Sequence, residues 1–349
     1  MRLERRVEIP IALVSVAPLA AIASALVVAG FLIALAGVDP FEAYRLIVVS
    51  AFGSRLSITE TLVRATPLIF TGLAAAAAFR ARIWNIGAEG QLYAGALVSA
   101  TVGNSAVVIF PAPIAITLLI LIGAAAGAIL LIGPVFLRLR TGADEVVTTL
   151  LLNFIVLLFV SMMIEGPLRD PGGLGWPQSV AVDPSVTLPL LVSRSRLHVG
   201  FLLGIAVALA LWFVQARTVF GLKVRAAGLN PDAARFAGVS LPRSLLVVAG
   251  LSGGLAGLAG TIEILGVRGY VTTDMSPGWG YSGIVVAMLG GLHPLGVIAS
   301  AIFVALVFIG SNGMSRALNI PSFIADVIVS LSLLAMLLSL LFTNYRIRR

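Results

Sequence analysis

Long runs of apolar residues dominate this sequence and constrain its fold more than any other feature. Apolar windows lie near residues 11–36, 57–79, 86–109, 113–137, 146–164, 197–216, 244–265, 281–292, 294–312 and 321–343. Most of them are close to the length of about 20 residues that a helix needs to cross a bilayer core, and the window at 281–292 is the shortest. The pattern predicts an all-α polytopic membrane protein, a single domain over residues 1–349 with about ten transmembrane helices.

Composition excludes several kinds of functional site. Only 11% of the residues are charged, against roughly 25% in soluble domains, so lipid must surround much of the chain. The absence of cysteine excludes disulfides, thiolate metal sites and cysteine nucleophiles, and two histidines, His198 and His293, cannot form a histidine-rich metal site. No G-x-x-x-x-G-K-[ST] motif occurs, so the chain cannot hydrolyse ATP by itself. The net charge of +8 is spread over short loops, which predicts contact with membrane lipid and not with nucleic acid.

The positions of the basic residues predict the orientation of the chain. With the N-terminus in the cytoplasm, the cytoplasmic side receives Arg2, Arg5, Arg6, Arg80, Arg82, Arg138, Arg140, Arg217, Lys223, Arg225, Arg235, Arg243, Arg346, Arg348 and Arg349. Because short cytoplasmic loops are enriched in Lys and Arg, we expect both termini in the cytoplasm. The Pro- and Gly-rich segment at about 165–196 is then the longest outer loop, either a docking surface or a simple connector.

The longest cytoplasmic loop, 217–243, contains a short helix with defined ends. Asn230 suits the N-cap, Pro231 suits the first helical position, and Asp232 suits the positive end of the helix. Gly238 can supply the left-handed residue that ends the helix. Such a helix is either an interfacial loop helix or a docking element for a cytoplasmic partner.

The same loop carries a resemblance to a known family. The motif DAARFAG at 232–238, followed closely by Leu241 and Pro242, is similar to the coupling-helix signature of ATP-binding-cassette (ABC) importer permeases, with a shorter spacing to Leu-Pro than in the commonest importers. The wider segment 221–240 resembles the sugar and nucleoside branch of these permeases. The resemblance implies that the following residues couple the chain to its ATPase: Asn230, Asp232, Ala233, Ala234, Arg235, Phe236 and Gly238.

Two further segments narrow the resemblance. WNIGAEGQLYAGA at 84–96 resembles a segment of nucleoside permeases that work with basic-membrane-lipoprotein-type binding proteins, and TGADEVVTTLLLNFI at 141–155 is a third match. The resemblance implies import of nucleosides, or of ribose-type simple sugars, by alternating access across the inner membrane of a bacterium. It also implies three partners: a cytoplasmic ATPase that binds ATP and Mg²⁺, a second permease subunit that is a different chain, and an extracytoplasmic solute-binding protein. The chain itself is then not an enzyme and binds no cofactor or metal.

Polar side chains inside the apolar windows are candidates for the solute pathway. Such groups are costly in lipid, so each one either bonds to neighbouring helices or contacts water and solute. If a helix begins at Ile86, Glu89 lies about one turn inside it, near the cytoplasmic interface, where Arg80, Arg82 or a neighbouring span is a possible partner. The pathway candidates are Asn85, Glu89, Gln91, Thr148, Asn153, Trp279 and Tyr281.

Two local patterns predict helix starts and helix packing. Thr141 is expected to be the N-cap of the following helix, with Asp144 at its third position as an acidic relative of the capping box. The glycines at 250, 253, 254, 257 and 260 repeat at small-xxx-small spacings, which favours close packing of helices in a membrane.

Two other classes of protein remain open. The segment Gly250-Leu251-Ser252-Gly253 together with His293 fits an intramembrane serine protease, although a glycine-rich helix meets this short pattern by chance. An ion-coupled secondary transporter would place acidic residues near the membrane midplane. The interior carboxylates of this chain are scattered, at Glu89, Glu263 and Asp326. The capped helix at 230–238 is required only by the ABC permease interpretation.

Overall fold

The computed structural model describes residues 2–5, 11–35 and 37–319, and beyond them residues 323–324, 326–331, 334–335, 338 and 345–348. The helices are α1 (Ile11–Leu35), α2 (Pro40–Phe52), α3 (Arg55–Arg80), α4 (Ala88–Ile109), α5 (Ala112–Thr141), α6 (Glu145–Glu165), α7 (Gly200–Arg217), α8 (Val219–Leu229), α9 (Pro231–Phe236), α10 (Leu241–Glu263), α11 (Trp279–Leu289) and α12 (Pro294–Leu318). Two four-residue strands, β1 (Arg2–Arg5) and β2 (Tyr345–Arg348), pair in antiparallel fashion. The described chain is thus almost entirely helical, as the apolar windows predict.

Seven of the described helices are long and apolar enough to cross a membrane. They are α3, α4, α5, α6, α7, α12, and α10 together with the π-helical turn Ile264–Arg268 that continues it. A further pair, residues 22–35 of α1 with α2, is bent by 116° and makes an eighth span if it is counted as one. The polytopic membrane fold is therefore confirmed, whereas the larger predicted number of spans and the orientation of the termini stay predictions.

One helix lies outside all the predicted windows, and one window differs from the helix that forms. The window at 11–36 forms α1, after which the Asp39 carboxylate accepts a hydrogen bond of 3.0 Å from the Phe41 N–H to start α2, a helix that no window predicts. The window at 281–292 forms α11, whose 11 residues are about 16 Å long and too short to cross the bilayer core. Most of the window at 321–343 lies outside the described residues.

Contacts at one end of the bundle join the ends of helices that run in opposite directions. Arg138, near the end of α5, forms an ion pair with Glu145 at the start of α6 and donates to the Arg82 carbonyl over 3.1 Å. Arg80, the last residue of α3, donates to the Leu292 carbonyl over 2.9 Å, between α11 and α12. We call this the α9 end, because α9 and its neighbour α8 lie here, with α8 against the end of α3.

The opposite end of the bundle collects the start of α3 and the end of α10. Arg196, just before α7, forms an ion pair with Glu60 in α3, with 3.1 Å between Arg196 Nε and a carboxylate oxygen. The loop at 165–196 packs over this end, where the Ser179 N–H donates to the Val271 carbonyl over 3.0 Å. The arginine-rich turns before α4 and before α6, by contrast, both lie at the α9 end. This is required if successive spans cross the membrane in alternating directions.

Glycine brings the backbones of α4, α5 and α10 into direct contact. A methyl group added at Gly127 in α5 would lie 2.2 Å from the Gly253 carbonyl oxygen in α10. One added at Gly95 in α4 would lie 2.1 Å from the Gly257 carbonyl oxygen, also in α10. No carbon atom fits at these distances, so the small-residue spacing of α10 does produce the close helix packing that it predicts.

The segment 217–243 contains α8 as well as the predicted short helix α9. Asn230 Oδ1 accepts from the N–H groups of Asp232 and Ala233 over 3.1 Å each, which confirms the predicted N-cap. Gly238 has a φ of +80°, the left-handed conformation predicted for the end of this helix. Both ends of α9 are thus determined by the residues that the sequence indicated.

The predicted start of α6 is wrong. Thr141 is the last residue of α5, and its hydroxyl donates to the Leu137 carbonyl over 2.9 Å. Asp144 is the N-cap of α6, and its carboxylate accepts from the Val146 N–H over 2.8 Å. The reason is Gly142, whose φ of +76° ends α5 directly after Thr141 and leaves the capping position to the next suitable side chain.

His198 is buried just before the start of α7. It is 1% exposed, and its Nδ1 accepts from the Gly200 N–H over 3.1 Å. Burial disfavours the charged imidazolium and lowers the pKa of His198 from 6.5 to about 4. The folded protein therefore holds this side chain in its neutral form.

Replacing Gly127 by Ala should destabilise the protein, because the added methyl group forces α5 and α10 apart and overpacking costs about 1–3 kcal/mol. Gly133, in the same helix, has no atom within 4 Å of an added methyl group and provides the matched control. Gly133→Ala should be neutral or stabilising by up to about 1 kcal/mol. Thermal unfolding of both purified variants in detergent measures the difference, and equal midpoints would contradict the packing.

Stability should fall as the pH falls from about 6.5 towards 4, because the unfolded chain protonates His198 in this range and the folded chain does not. The contribution is fully present above pH 6.5 and is at most about 3 kcal/mol, since one pKa unit corresponds to about 1.4 kcal/mol. Unfolding midpoints measured between pH 4 and 8 for the wild type and His198→Asn check this. A stability difference between the two proteins that stays constant across the range would contradict the expectation.

Candidate functional site

A buried polar layer joins the segment before α4 to α10 and α3. The side-chain amides of Asn85 and Gln91 exchange two hydrogen bonds of 2.9 Å, and Asn85 Nδ2 also donates to the Ser252 hydroxyl over 3.0 Å. The Ser252 hydroxyl in turn donates to the Ala74 carbonyl over 2.7 Å. These side chains are completely or almost completely buried, and each finds the partner inside the protein that the hydrocarbon region cannot supply.

Asn153 connects α6 to the start of α4 and to α11. Its Oδ1 accepts from the Gly90 N–H over 2.8 Å, and its Nδ2 donates to the Ile86 carbonyl over 2.7 Å and to the Tyr281 hydroxyl over 3.1 Å. Asn153 is fully buried, whereas Tyr281 is 39% exposed. The Asn153 amide is thus hydrogen-bonded to protein groups on both of its polar atoms. Tyr281 is the residue of this cluster whose side chain is partly exposed.

Glu89 holds the first turn of α11. The side chain is 3% exposed, and its carboxylate accepts a hydrogen bond of 2.6 Å from the Gly280 N–H. Gly280 follows Trp279, the first residue of α11, and a carboxylate at this position faces the positive end of the helix dipole. The carboxylate therefore fixes the backbone beside Trp279.

Glu89 is the second residue of α4, the span that begins at Ala88. Its carboxylate binds the Gly280 N–H of α11, whereas the Arg80 side chain donates to the Leu292 carbonyl. Of the partners expected for Glu89, the structure therefore shows a neighbouring helix and not Arg80 or Arg82. The position of Glu89 near the cytoplasmic interface stays a prediction.

A charged cavity of about 420 Å³ lies at the end of the bundle opposite α9. Among the side chains that line it are Glu60, Arg64, Arg196, Glu263, Arg268 and Trp279. The side chain of Arg196 is 61% exposed at the rim, whereas that of Glu263 is 5% exposed at the base. The volume falls in the range of roughly 300–1,000 Å³ that small-molecule pockets occupy.

The charges of this cavity are only partly paired. Arg196 binds Glu60 at the rim, and Arg268 Nε lies 3.8 Å from a carboxylate oxygen of Glu263. Arg64, in α3, forms no ion pair with any residue that the structure describes. The three guanidinium groups and two carboxylates leave an excess of one positive charge.

Two aromatic rings surround the Arg64 guanidinium. Its central carbon lies 5.3 Å from the ring centroid of Trp279 and 5.6 Å from that of Phe308. Both distances are within the range of cation–π attraction. Arg64 precedes Pro67, which interrupts the hydrogen bonding of α3 one turn further along the helix. Trp279, a pathway candidate from the sequence, is therefore both a lining residue and a contact of Arg64.

Thr148 lies apart from the other pathway candidates. Its hydroxyl donates to the Asp144 carbonyl over 3.0 Å in the first turn of α6, and it does not line the charged cavity. The structure therefore brings the other candidates together in pairs: Asn85 with Gln91, Asn153 with Tyr281, and Glu89 with the backbone beside Trp279.

The surface of α9 projects away from the bundle. Phe236 is 97% exposed, and Arg235 donates to the Asp232 carboxylate over 3.1 Å at the surface. Ala234, on the other face, is 2% exposed and packs in a small apolar cluster with Ala227 of α8. Among the residues predicted for coupling, the structure thus separates an inner packing face from an outer charged and aromatic face.

The contacts of Ser252 do not assemble a protease site. Its hydroxyl is bonded to Asn85 and to the Ala74 carbonyl, and neither bond involves His293. His293 is the residue at the start of α12, next to Leu292 at the α9 end.

The sequence patterns missed most of the charged cavity. The sequence indicates Glu263 as an interior carboxylate. It contains no pattern that links this residue to Glu60, Arg64, Arg196 and Arg268. The available signal was an ionisable residue inside an apolar window, since such residues in a membrane face a partner or a cavity. Arg64 and Glu263 both meet that description.

Comparisons with known proteins agree with this architecture. The family described as the permease component of the branched-chain amino acid transport system matches residues 57–342. A glucose ABC transporter permease protein of Haloferax volcanii, TsgB13, is 34% identical over 99% of this chain and 93% of its own length. No solved structure matches the chain.

Two further relatives are similar over most of their length. The guanosine ABC transporter permease protein NupP of Bacillus subtilis is 32% identical over 91% of both chains. The nucleoside ABC transporter permease protein NupB of Lactococcus lactis is 32% identical over 90% of this chain and 88% of its own. With a family match over most of its length and these relatives, the chain belongs to this permease family and is an integral membrane subunit of an ABC transporter.

Proposed function

We propose that this permease imports nucleosides by alternating access, driven by a separate ATPase that binds ATP and Mg²⁺. Two relatives that cover about nine-tenths of the chain are named for guanosine and nucleoside transport. The segment at 84–96, which resembles nucleoside permeases, supplies Glu89 to the backbone beside Trp279, a residue that lines the charged cavity. Both observations support a nucleoside as the solute.

A simple sugar is the second candidate solute. The relative that covers 99% of this chain is named for glucose transport. A nucleoside contains a ribose ring, so a pathway suited to hydroxyl groups serves both classes of solute. The choice between them therefore rests on a direct transport measurement.

The exposed face of α9 is the observation that supports coupling to an ATPase. Phe236 is an aromatic side chain with 97% of its surface open, and isolated exposed aromatic residues of this kind act as anchors in protein interfaces. Asp232 and Arg235 flank it and provide a charged rim. We expect Phe236 to enter a pocket of the ATPase, with Arg235 as the charged contact.

Two further partners complete the proposed transporter. A second permease subunit, a different chain, would form the other half of the pathway. A solute-binding protein would dock at the end opposite α9, where the loop at 165–196 covers the bundle. Solute specificity would then be shared with that binding protein.

Uptake by the complete complex in proteoliposomes tests both parts of the proposal. The wild type should accumulate labelled uridine or guanosine when ATP is supplied, and accumulation of ribose or glucose instead would contradict the nucleoside assignment. Phe236→Asp should abolish uptake and release the ATPase, while membrane insertion is unchanged. Phe236→Leu, which keeps an apolar anchor, should retain most of the activity. Unchanged uptake in Phe236→Asp would contradict the role of α9.

Glu89→Ala should destabilise the permease and reduce uptake, because it leaves the buried Gly280 N–H without an acceptor, at a cost of about 1–3 kcal/mol. Glu89→Gln keeps an acceptor oxygen and should have a smaller effect on the unfolding midpoint. Glu165→Ala, at the exposed end of α6, is the matched control and should be close to neutral. A Glu89→Ala variant that unfolds like the wild type but loses uptake would instead indicate direct contact between this carboxylate and the solute.

A further inference from the structure

The charged cavity contains two buried hydrogen-bond donors that the protein does not use. Arg64 Nε and Trp279 Nε1 are both buried, and neither has an acceptor among the described residues. Trp279 is 2% exposed, so bulk solvent does not reach it readily. Three further buried polar atoms among the described residues, Gln215 Oε1, Thr272 Oγ1 and Ser311 Oγ, also lack a partner, but these three side chains do not line the cavity. A buried donor without an acceptor is costly, and the cavity beside Arg64 and Trp279 has room for a solute that supplies one.

A carboxylate faces the same space. Glu263 is 5% exposed, lines the cavity and lies 3.8 Å from Arg268, beyond hydrogen-bond length. Its oxygens therefore still have capacity to accept hydrogen bonds from a solute. The cavity base thus presents donors and an acceptor together.

Hydroxyl groups match this arrangement. Each hydroxyl accepts from one group and donates to another, so two neighbouring hydroxyls can satisfy the guanidinium, the indole N–H and the carboxylate at once. A neutral polyol also leaves the charge of the cavity unchanged. The ring of Tyr270, which also lines the cavity, offers an apolar face for the carbon side of a sugar.

We propose that the charged cavity is a solute-contact site that recognises the vicinal hydroxyl groups of a ribose moiety, with Arg64 and Trp279 as donors and Glu263 as acceptor. This proposal rests on the import function proposed above and specifies the part of the solute that the permease itself reads. Nucleosides and free pentoses share this chemistry, so the experiment separates the two sources.

Glu89 acts in this site as a positioning residue. Its bond to the Gly280 N–H holds the backbone next to Trp279, and the Ser276 hydroxyl accepts from the backbone N–H of Trp279 over 3.0 Å. These two bonds fix the start of α11 and hence the direction of the indole ring. The segment at 84–96 is thereby linked to solute recognition without touching the solute.

The test compares paired solutes in proteoliposomes that contain the complete complex and saturating binding protein. The readout is the ratio of initial uptake rates for uridine and 2′,3′-dideoxyuridine, with ribose and 2-deoxyribose as the second pair. Arg64→Met should lower the preference for the hydroxylated solute by about 10–100-fold and Trp279→Phe by about 3–10-fold, as expected for one charged and one neutral hydrogen bond. Glu263→Gln should also lower it, and Arg64→Lys should restore part of the loss.

Matched substitutions outside the cavity are the controls. Arg55→Met, at the exposed start of the same helix, and Trp212→Phe, in α7, should leave the ratio unchanged. A ratio that is the same in the wild type and all cavity variants would overturn the proposal. The proposal would also be overturned if the variants hydrolysed ATP without solute while their uptake ratio stayed unchanged. This result would identify the ion pairs of the cavity as a gate. Failure of the wild type to take up nucleosides while the ribose pair responds would overturn only the nucleoside assignment.

Discussion

Polar groups inside a membrane protein must find their partners within the protein, because the surrounding hydrocarbon offers none. The interior of this permease follows that constraint closely. The amides of Asn85, Gln91 and Asn153 each bond to other side chains or to backbone groups. Of the five buried side-chain atoms without a partner in the described part of the chain, the donors of Arg64 and Trp279 are the two that belong to side chains lining one cavity.

The helical fold was accessible from the sequence where a local signal decides it. Apolar length identified the spans of α3 to α7, and the residues Asn230 and Gly238 determined both ends of α9, because caps act over one turn. The short helix α2 lies outside the apolar windows, and the window at 281–292 forms α11, which is too short to cross the bilayer, because a hydrophobicity window does not detect where a chain turns. The prediction of Thr141 as the N-cap of α6 is wrong, because the left-handed conformation of Gly142 ends α5 directly after Thr141.

The candidate site was less accessible, because its parts are far apart in the chain. Glu89 was recognised as a buried carboxylate, but its partner Gly280 is a backbone group 191 residues away and carries no side-chain signal. The packing of α11 against α4 brings these two groups together, and no local pattern at 84–96 predicts it. Arg64 and Glu263 were visible singly as charges within apolar windows, and only the packing of α3 against α10 makes them neighbours.

The helix α3 gives the two ends of the molecule a mechanical connection. At one end, Gly228 of α8 lies directly against the Arg80 carbonyl, where an added methyl group would be 2.0 Å away. Near the other end, Arg64 precedes Pro67, which removes one backbone hydrogen bond and makes bending at that point easier. If α9 moves with an ATPase, as proposed above, Pro67 is the point at which α3 bends most easily between α8 and Arg64. The distance between Arg64 and Glu263 would then change with the state of a nucleotide site that lies outside this chain, at the other face of the membrane.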